Sequence, residues 1–149
     1  MTMNDLRVIV ETLMWKGSDN LQKYGHVASV AGIIHGKSMD MCLLEGDQEK
    51  RRRTLKRLIR RYQADGIVVV TDCFFTQHTH GGGLNLDLIP LPSRDPRRQE
   101  AVCVLCKLRG QNGFTLLRPY GRTAEGVVFD PVRTIDRLES WVNDLWQTM

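Results

Sequence analysis

Four groups of residues in this chain have types and spacings that bear on chemistry. The first is His78-Thr79-His80, followed by Gly81, Gly82 and Gly83. On an extended backbone alternate residues share a side, so two imidazoles at this spacing can face one metal ion. Two ligands do not make a site, and no third lies close in sequence. The plainer reading is a polar loop with solvated histidines. The second group is Cys103-Val104-Leu105-Cys106. A Cys-x-x-Cys pair shares a metal or a disulfide where a turn or helix start makes the sulfurs converge. Here it lies in an apolar strand pattern, where residues three apart face opposite sides, roughly 10 Å apart along the chain. These two read as core thiols. The third is Asp72, the one carboxylate in an otherwise apolar run. Burying it costs several kcal/mol unless it is paired or hydrogen-bonded. It reads as an acid, base or ligand at a strand end, or as a carboxylate that ties down a neighbouring backbone or arginine. The fourth is the basic stretch at 50–61, which holds Lys50, Arg51, Arg52, Arg53, Lys56, Arg57, Arg60 and Arg61.

The basic stretch concentrates the charge of the molecule. Against its eight cations, residues 47–65 hold only Asp47, Glu49 and Asp65, a net of +5. The whole chain is +4, so the remainder is net −1. Such a local field attracts phosphates. Arg53, Lys56, Arg57, Arg60 and Arg61 are therefore candidate nucleic-acid or anion-binding residues. No aromatic residue interrupts 50–61, which argues against a platform for stacking single-stranded bases. No helix-turn-helix, zinc-finger or RNA-recognition pattern is present. The plainer reading is a solvated helix face.

Other motifs fail on inspection. The His78-x-His80 pair is similar to the opening of the JAMM metalloprotease motif, which continues after seven residues with Ser-x-x-Asp. Those positions are Leu88 and Leu91 here, so its catalytic roles do not carry over. The glycines at 81–83 form neither a dinucleotide-binding fingerprint nor a P-loop. There is no nucleophile elbow.

The elements that must position these residues follow from periodicity. Residues 66–75 run Gly-Ile-Val-Val-Val-Thr-Asp-Cys-Phe-Phe, apolar on both faces until Thr71, which predicts a central strand covered on both sides. The basic stretch leads into it as a helix over 48–64. Its apolar stripe is Leu55, Leu58, Ile59 and Tyr62, its N-cap is Asp47, and Asp65-Gly66 ends it by a left-handed glycine. Upstream, a helix over 2–14 has Leu6, Ile9, Val10, Leu13 and Met14 on one face. Turn chemistry at 15–20 is expected to end it. Strands over 27–34 and 39–44 pair through a turn at Gly36. Downstream, 77–100 is a long connection broken by Pro90, Pro92 and Pro96, of a length usually functional or mobile. Strands are expected over 101–108, 114–117 and 127–129. Asp130-Pro131 then opens a last helix that buries Ile135, Leu138, Trp141, Val142, Leu145 and Trp146.

The order is α–β–β–α–β–(long loop)–β–β–β–α. It predicts one α+β domain over 1–149, a mostly antiparallel sheet with helices packed on it. This order resembles the profilin-like and roadblock-type sandwiches, an analogy of fold that implies no function. Over about 27–129 the chain also resembles a group of small bacterial and phage proteins. They share a hairpin, a helix and a strand ending acidic–small–aromatic, here Asp72, Cys73 and Phe74. That resemblance implies no activity.

At 149 residues the chain is long enough to bury a core, roughly 68–70% of its unfolded surface. No apolar run approaches a membrane span, and the N-terminus lacks a signal-peptide pattern. The expectation is a cytoplasmic protein without a membrane role, with free thiols at Cys42, Cys73, Cys103 and Cys106. The expected function is a small binding or accessory module, not an enzyme, without a cofactor, whose partner is a protein or a second copy. An exposed sheet edge, or a helix face carrying Trp141 and Trp146, would serve such a partner. The alternatives are nucleic-acid binding through 50–61 and a metal-dependent hydrolase using His78, His80 and Asp72.

Overall fold

The apolar run that begins at Gly66 lies in the interior of a sheet. The computed structural model describes residues 2–80, 83–87, 99–135 and 145, with backbone alone over 74–80 and 83–87. The elements in chain order are α1 (Met3–Tyr24), β1 (Val30–His35), β2 (Ser38–Leu43), α2 (Gln48–Tyr62), β3 (Gly66–His80), β4 (Gly83–Asp87), β5 (Gln99–Leu108), β6 (Phe114–Thr123), β7 (Gly126–Phe129) and β8 (Arg133–Ile135). The sheet order is β2-β1-β3-β5-β6-β7. β4 adds to the far end of β3, and β8 pairs with β6 beside β7. Every pairing among the described strands is antiparallel. The protein is an α+β fold with helices packed on an antiparallel sheet, as its periodicity predicts.

β3 is flanked by β1 and β5 and covered on both faces. Val68 and Val70 join one core with Leu6, Val10, Met14 and Leu21 of α1 and Val102, Val104 and Cys106 of β5. Ile67 and Val69 join the other with Leu55 and Ile59 of α2, Cys103 and Leu105 of β5, and Leu145. A strand that feeds two cores has no use for polar alternation, which is why the run is uninterrupted.

α1 extends well past its expected end. Thr2 and Asp5 form the capping box: Asp5 N–H donates to Thr2 Oγ1 (3.1 Å) and Thr2 N–H to Asp5 Oδ2 (3.0 Å). The helix then continues through 15–20 to Gly25, which takes the left-handed cap (φ 79°). Packing overrides the turn chemistry. Gly17 and Ser18 are buried, and a Cβ on Gly17 would lie 3.2 Å from Val102 and 3.4 Å from Val70. Glycine here brings the helix backbone close to the sheet.

Three further expectations are corrected. α2 ends at Tyr62 with Gln63 in the left-handed region (φ 48°), so Gly66 opens the strand and does not cap the helix. The expected connection 77–100 is shorter, because β3 runs on to His80 and pairs with β4; residues 88–98 lie outside the described residues. Residues 133–135 do not begin a helix: β8 pairs Ile135 with Thr115 and Arg133 with Leu117. The edge of β6 offers ladder hydrogen bonds there, which outweigh the Asp130-Pro131 start signal. Leu138, Trp141, Val142 and Trp146 lie outside the described residues, and Leu145 is buried in the α2-side core.

Candidate anion-binding face

α2 is held to the sheet by one side and loaded with charge on the other. Asp47 caps it, its carboxylate accepting from Lys50 N–H (2.8 Å). Leu55 and Ile59 are fully buried, each stabilising by about 1.5–3 kcal/mol. Arg51 is structural. It donates through Nε to Gly46 O (3.0 Å) and through Nη1 to Ser29 Oγ (3.0 Å). Ser29 Oγ meets Thr71 Oγ1 (2.7 Å), and Thr71 donates to the Asp72 carbonyl (3.1 Å). This relay fixes the start of α2 to β3. At the other end Tyr62 stacks on His35, ring centroids 5.8 Å apart, and His35 Nε2 lies 2.8 Å from Asp40 Oδ2.

With both ends tied, the rotation of α2 is set and the outward residues follow from the helical period. Arg53, Arg57, Arg60 and Arg61 are exposed, and Lys56 is half-buried. Together these five line a groove of about 390 Å³. Arg52 lies 3.6 Å from Glu49 in a largely exposed pair. Among the described residues, Arg53, Arg57 and Arg60 meet no carboxylate. Their spacings are i, i+4 and i+7, so like charges stand next to one another and destabilise the free helix. Glu49 in the first turn and Arg60 and Arg61 in the last accord with the helix dipole. The five residues singled out from the sequence are thus brought into one groove.

The other candidates are not brought together. Asp72 lies on the continuous strand β3, six residues from His78, about 20 Å away at strand rise. His78 and His80 hold backbone positions opposite Asn85 and Gly83, and their side chains lie outside the described residues. Among the described residues no group of three histidine, cysteine or acidic side chains is placed to hold a metal. The Asp72 side chain is half-buried. Cys103 and Cys106 are buried in opposite cores, as two strand positions three apart must be. Burial pushes the Cys106 thiol up to about 12, so it is neither a nucleophile nor a ligand at neutral pH.

The structure adds a second polar groove that the sequence does not announce. About 610 Å³ in volume, it is lined by residues that include Glu100, Tyr120, Arg122 and Asp130. Arg122 Nε donates to Glu100 Oε2 (3.1 Å), and its Nη2 donates to Gly25 O (3.1 Å). Burial, then the nearby charges of Glu100 and Asp72, push the Tyr120 phenol up to about 12. Beside it the Arg118 guanidinium lies 4.4 Å from the Trp15 ring centre and 4.1 Å from that of Phe129. Only the register of β5 on β6 brings these residues together; they are 15–22 apart in the chain and share no motif. Arg122 is spent on tying β6 to the end of α1, so the groove reads as a structural seam.

No helix among the described residues is long and apolar enough to cross a membrane. Comparison with protein-family models, curated proteins and solved structures gave no match, so the residues and their geometry alone carry the functional reading.

Proposed function

We propose that this protein is a polyanion-binding module whose contact surface is the outward face of α2, and that its ligand is the phosphodiester backbone of a nucleic acid. One observation carries the reading. Arg53, Arg57 and Arg60 form an exposed stripe without a carboxylate partner among the described residues, in a groove completed by Lys56 and Arg61.

Charge density supports a nucleic acid over a small anion. From 53 to 61 the helix rises about 12 Å and carries five cations, about one per 2.4 Å. A duplex carries one charge per about 1.7 Å and each strand one per about 3.4 Å. A ligand of that density relieves the repulsion along the stripe. The face lacks a free aromatic platform, since Tyr62 is stacked on His35. Recognition therefore rests on phosphates, positioned by arginine forks, and is indifferent to base sequence.

The test is fluorescence anisotropy with labelled duplex and single-stranded DNA and RNA, for the wild type and for Arg53→Glu/Arg57→Glu/Arg60→Glu. Five phosphate contacts predict that duplex affinity falls about 500-fold between about 50 and 200 mM salt. The triple variant is expected not to bind. Absence of wild-type binding at low salt, or binding unchanged in the variant, would sink the proposal.

A further inference from the structure

We infer that β2 is a self-complementary edge and that two copies of the chain pair through it, joining their sheets about a two-fold axis normal to the sheet. β2 ends the strand order, so one side of its backbone is unpaired among the described residues. Leu44 N–H donates to Ser29 O (2.8 Å), which places the β1-directed groups on residues 38, 40, 42 and 44. By antiparallel alternation the N–H and C=O of Met39, Met41 and Leu43 point off the edge.

The same three residues put their side chains on the α1 side of the sheet. α1 itself lies over β3, β5, β6 and β7, so the β1–β2 end of that face is less covered. Met41 is 45% exposed and Leu43 61% exposed. Gly32 lies beneath them: a Cβ there would come within 2.7 Å of Met39 Sδ and 3.0 Å of Met41 Sδ. The missing side chain lets both thioethers lie flat across β1, an adaptable apolar shelf. Edge strands are usually guarded by lysine, proline or a bulge. β2 carries none of these, and its one charge is Asp40.

The occupant follows from register. A two-fold axis through Met41 sets Met41 against its own counterpart, Met39 against Leu43, and Asp40 against Cys42. All three outward-facing positions then become hydrogen-bonded pairs, giving about six hydrogen bonds and a continuous apolar shelf. Moving the axis to residue 40 sets two carboxylates face to face at about 5 Å. Moving it to residue 42 sets Met39 against Glu45. The self-paired register centred on Met41 is the one that matches apolar with apolar throughout. A contact this narrow falls below a standard interface and predicts a micromolar dimer.

The test is sedimentation equilibrium over about 1–200 μM protein. It is run in about 0.3 M salt to screen the two α2 helices, which lie on one face of the joined sheet. Met41→Pro removes an outward N–H and no intrachain ladder bond. Leu43→Lys charges the shelf and leaves the backbone intact. The wild type is expected to pass from monomer to dimer, and each variant to weaken the dimer at least about tenfold. Should Met41→Pro fail to fold by circular dichroism, Leu43→Lys decides alone. A wild type that stays monomeric across the range, or a folded variant that dimerises as tightly, would overturn the inference.

Discussion

The stripe on α2 predicts that removing a charge stabilises the protein while weakening its function. Arg57 is the place to look. It is exposed, and its helical neighbours at i−4, i+3 and i+4 are Arg53, Arg60 and Arg61. Like-charge pairs at these spacings destabilise a helix by about 0.2–0.5 kcal/mol each, so three sum to about 0.6–1.5 kcal/mol at low ionic strength. Solvent exposure on all sides argues for the lower end, about 0.5 kcal/mol. Arginine and glutamine have nearly equal helix propensity, so Arg57→Gln isolates the charge. Urea unfolding of the free protein in about 10 mM salt is expected to show Arg57→Gln more stable by that amount, or by about 1–2 °C in Tm. The gain should vanish near 0.5 M salt, where the screening length falls towards 3–4 Å. In the same variant the salt slope of duplex binding falls by about 0.9, one phosphate contact. A loss of stability, or a gain that ignores salt, would refute the reasoning: Arg57 would then be paired or packed, not poised for a ligand.

Two further outcomes follow from the packing and the buried titratable groups. Leu55→Ala is expected to cost about 2–5 kcal/mol in urea unfolding and to release α2, whereas Val128→Ala, at an exposed site, stays within about 0.5 kcal/mol. Equal effects would mean that Leu55 does not anchor the helix. In alkali, stability should be level to about pH 9 and then fall towards pH 12. The Cys106 thiol and Tyr120 phenol, ordinarily near 9.0 and 10.0, are both pushed up to about 12, so the unfolded chain releases these protons first and gains from rising pH. Tyr120→Phe should remove the part of the decline that begins above pH 10; an unchanged profile would show that the phenol is not held neutral by the fold.

What could be read from the sequence was whatever local pattern and tertiary environment agree on. The centre of β3 was legible because a strand covered on both faces must be apolar on both. The start of α2 was legible because Asp47 caps it and Leu55 and Ile59 keep strict helical spacing; the candidate groove followed, since the opposite face of such a helix is determined by rotation alone. The burial of Cys103 and Cys106 on opposite sides came from strand geometry in the same way. Readings failed where packing overrode a local signal. Gly17 and Ser18 look like a turn, but serve as a thin place where α1 can approach Val70 and Val102. Asp130-Pro131 looks like a helix start, but the edge of β6 recruits residues 133–135 as a strand. The Glu100–Tyr120–Arg122 seam was not legible at all, because it exists only through cross-strand register.

The placement of Cys103 and Cys106 also gives the molecule two internal gauges. One thiol is sealed beneath α2 and the other beneath α1, three residues apart on a single strand. A thiol reagent reaches Cys103 only when the α2 layer lifts, and Cys106 only when the α1 layer does. Half-buried Cys42 and Cys73 mark the rate without such opening. Equal protection of the two buried thiols would mean that both layers open in one cooperative event with the sheet. Unequal protection would rank them as separate units of local unfolding, measured from the two sides of the same strand.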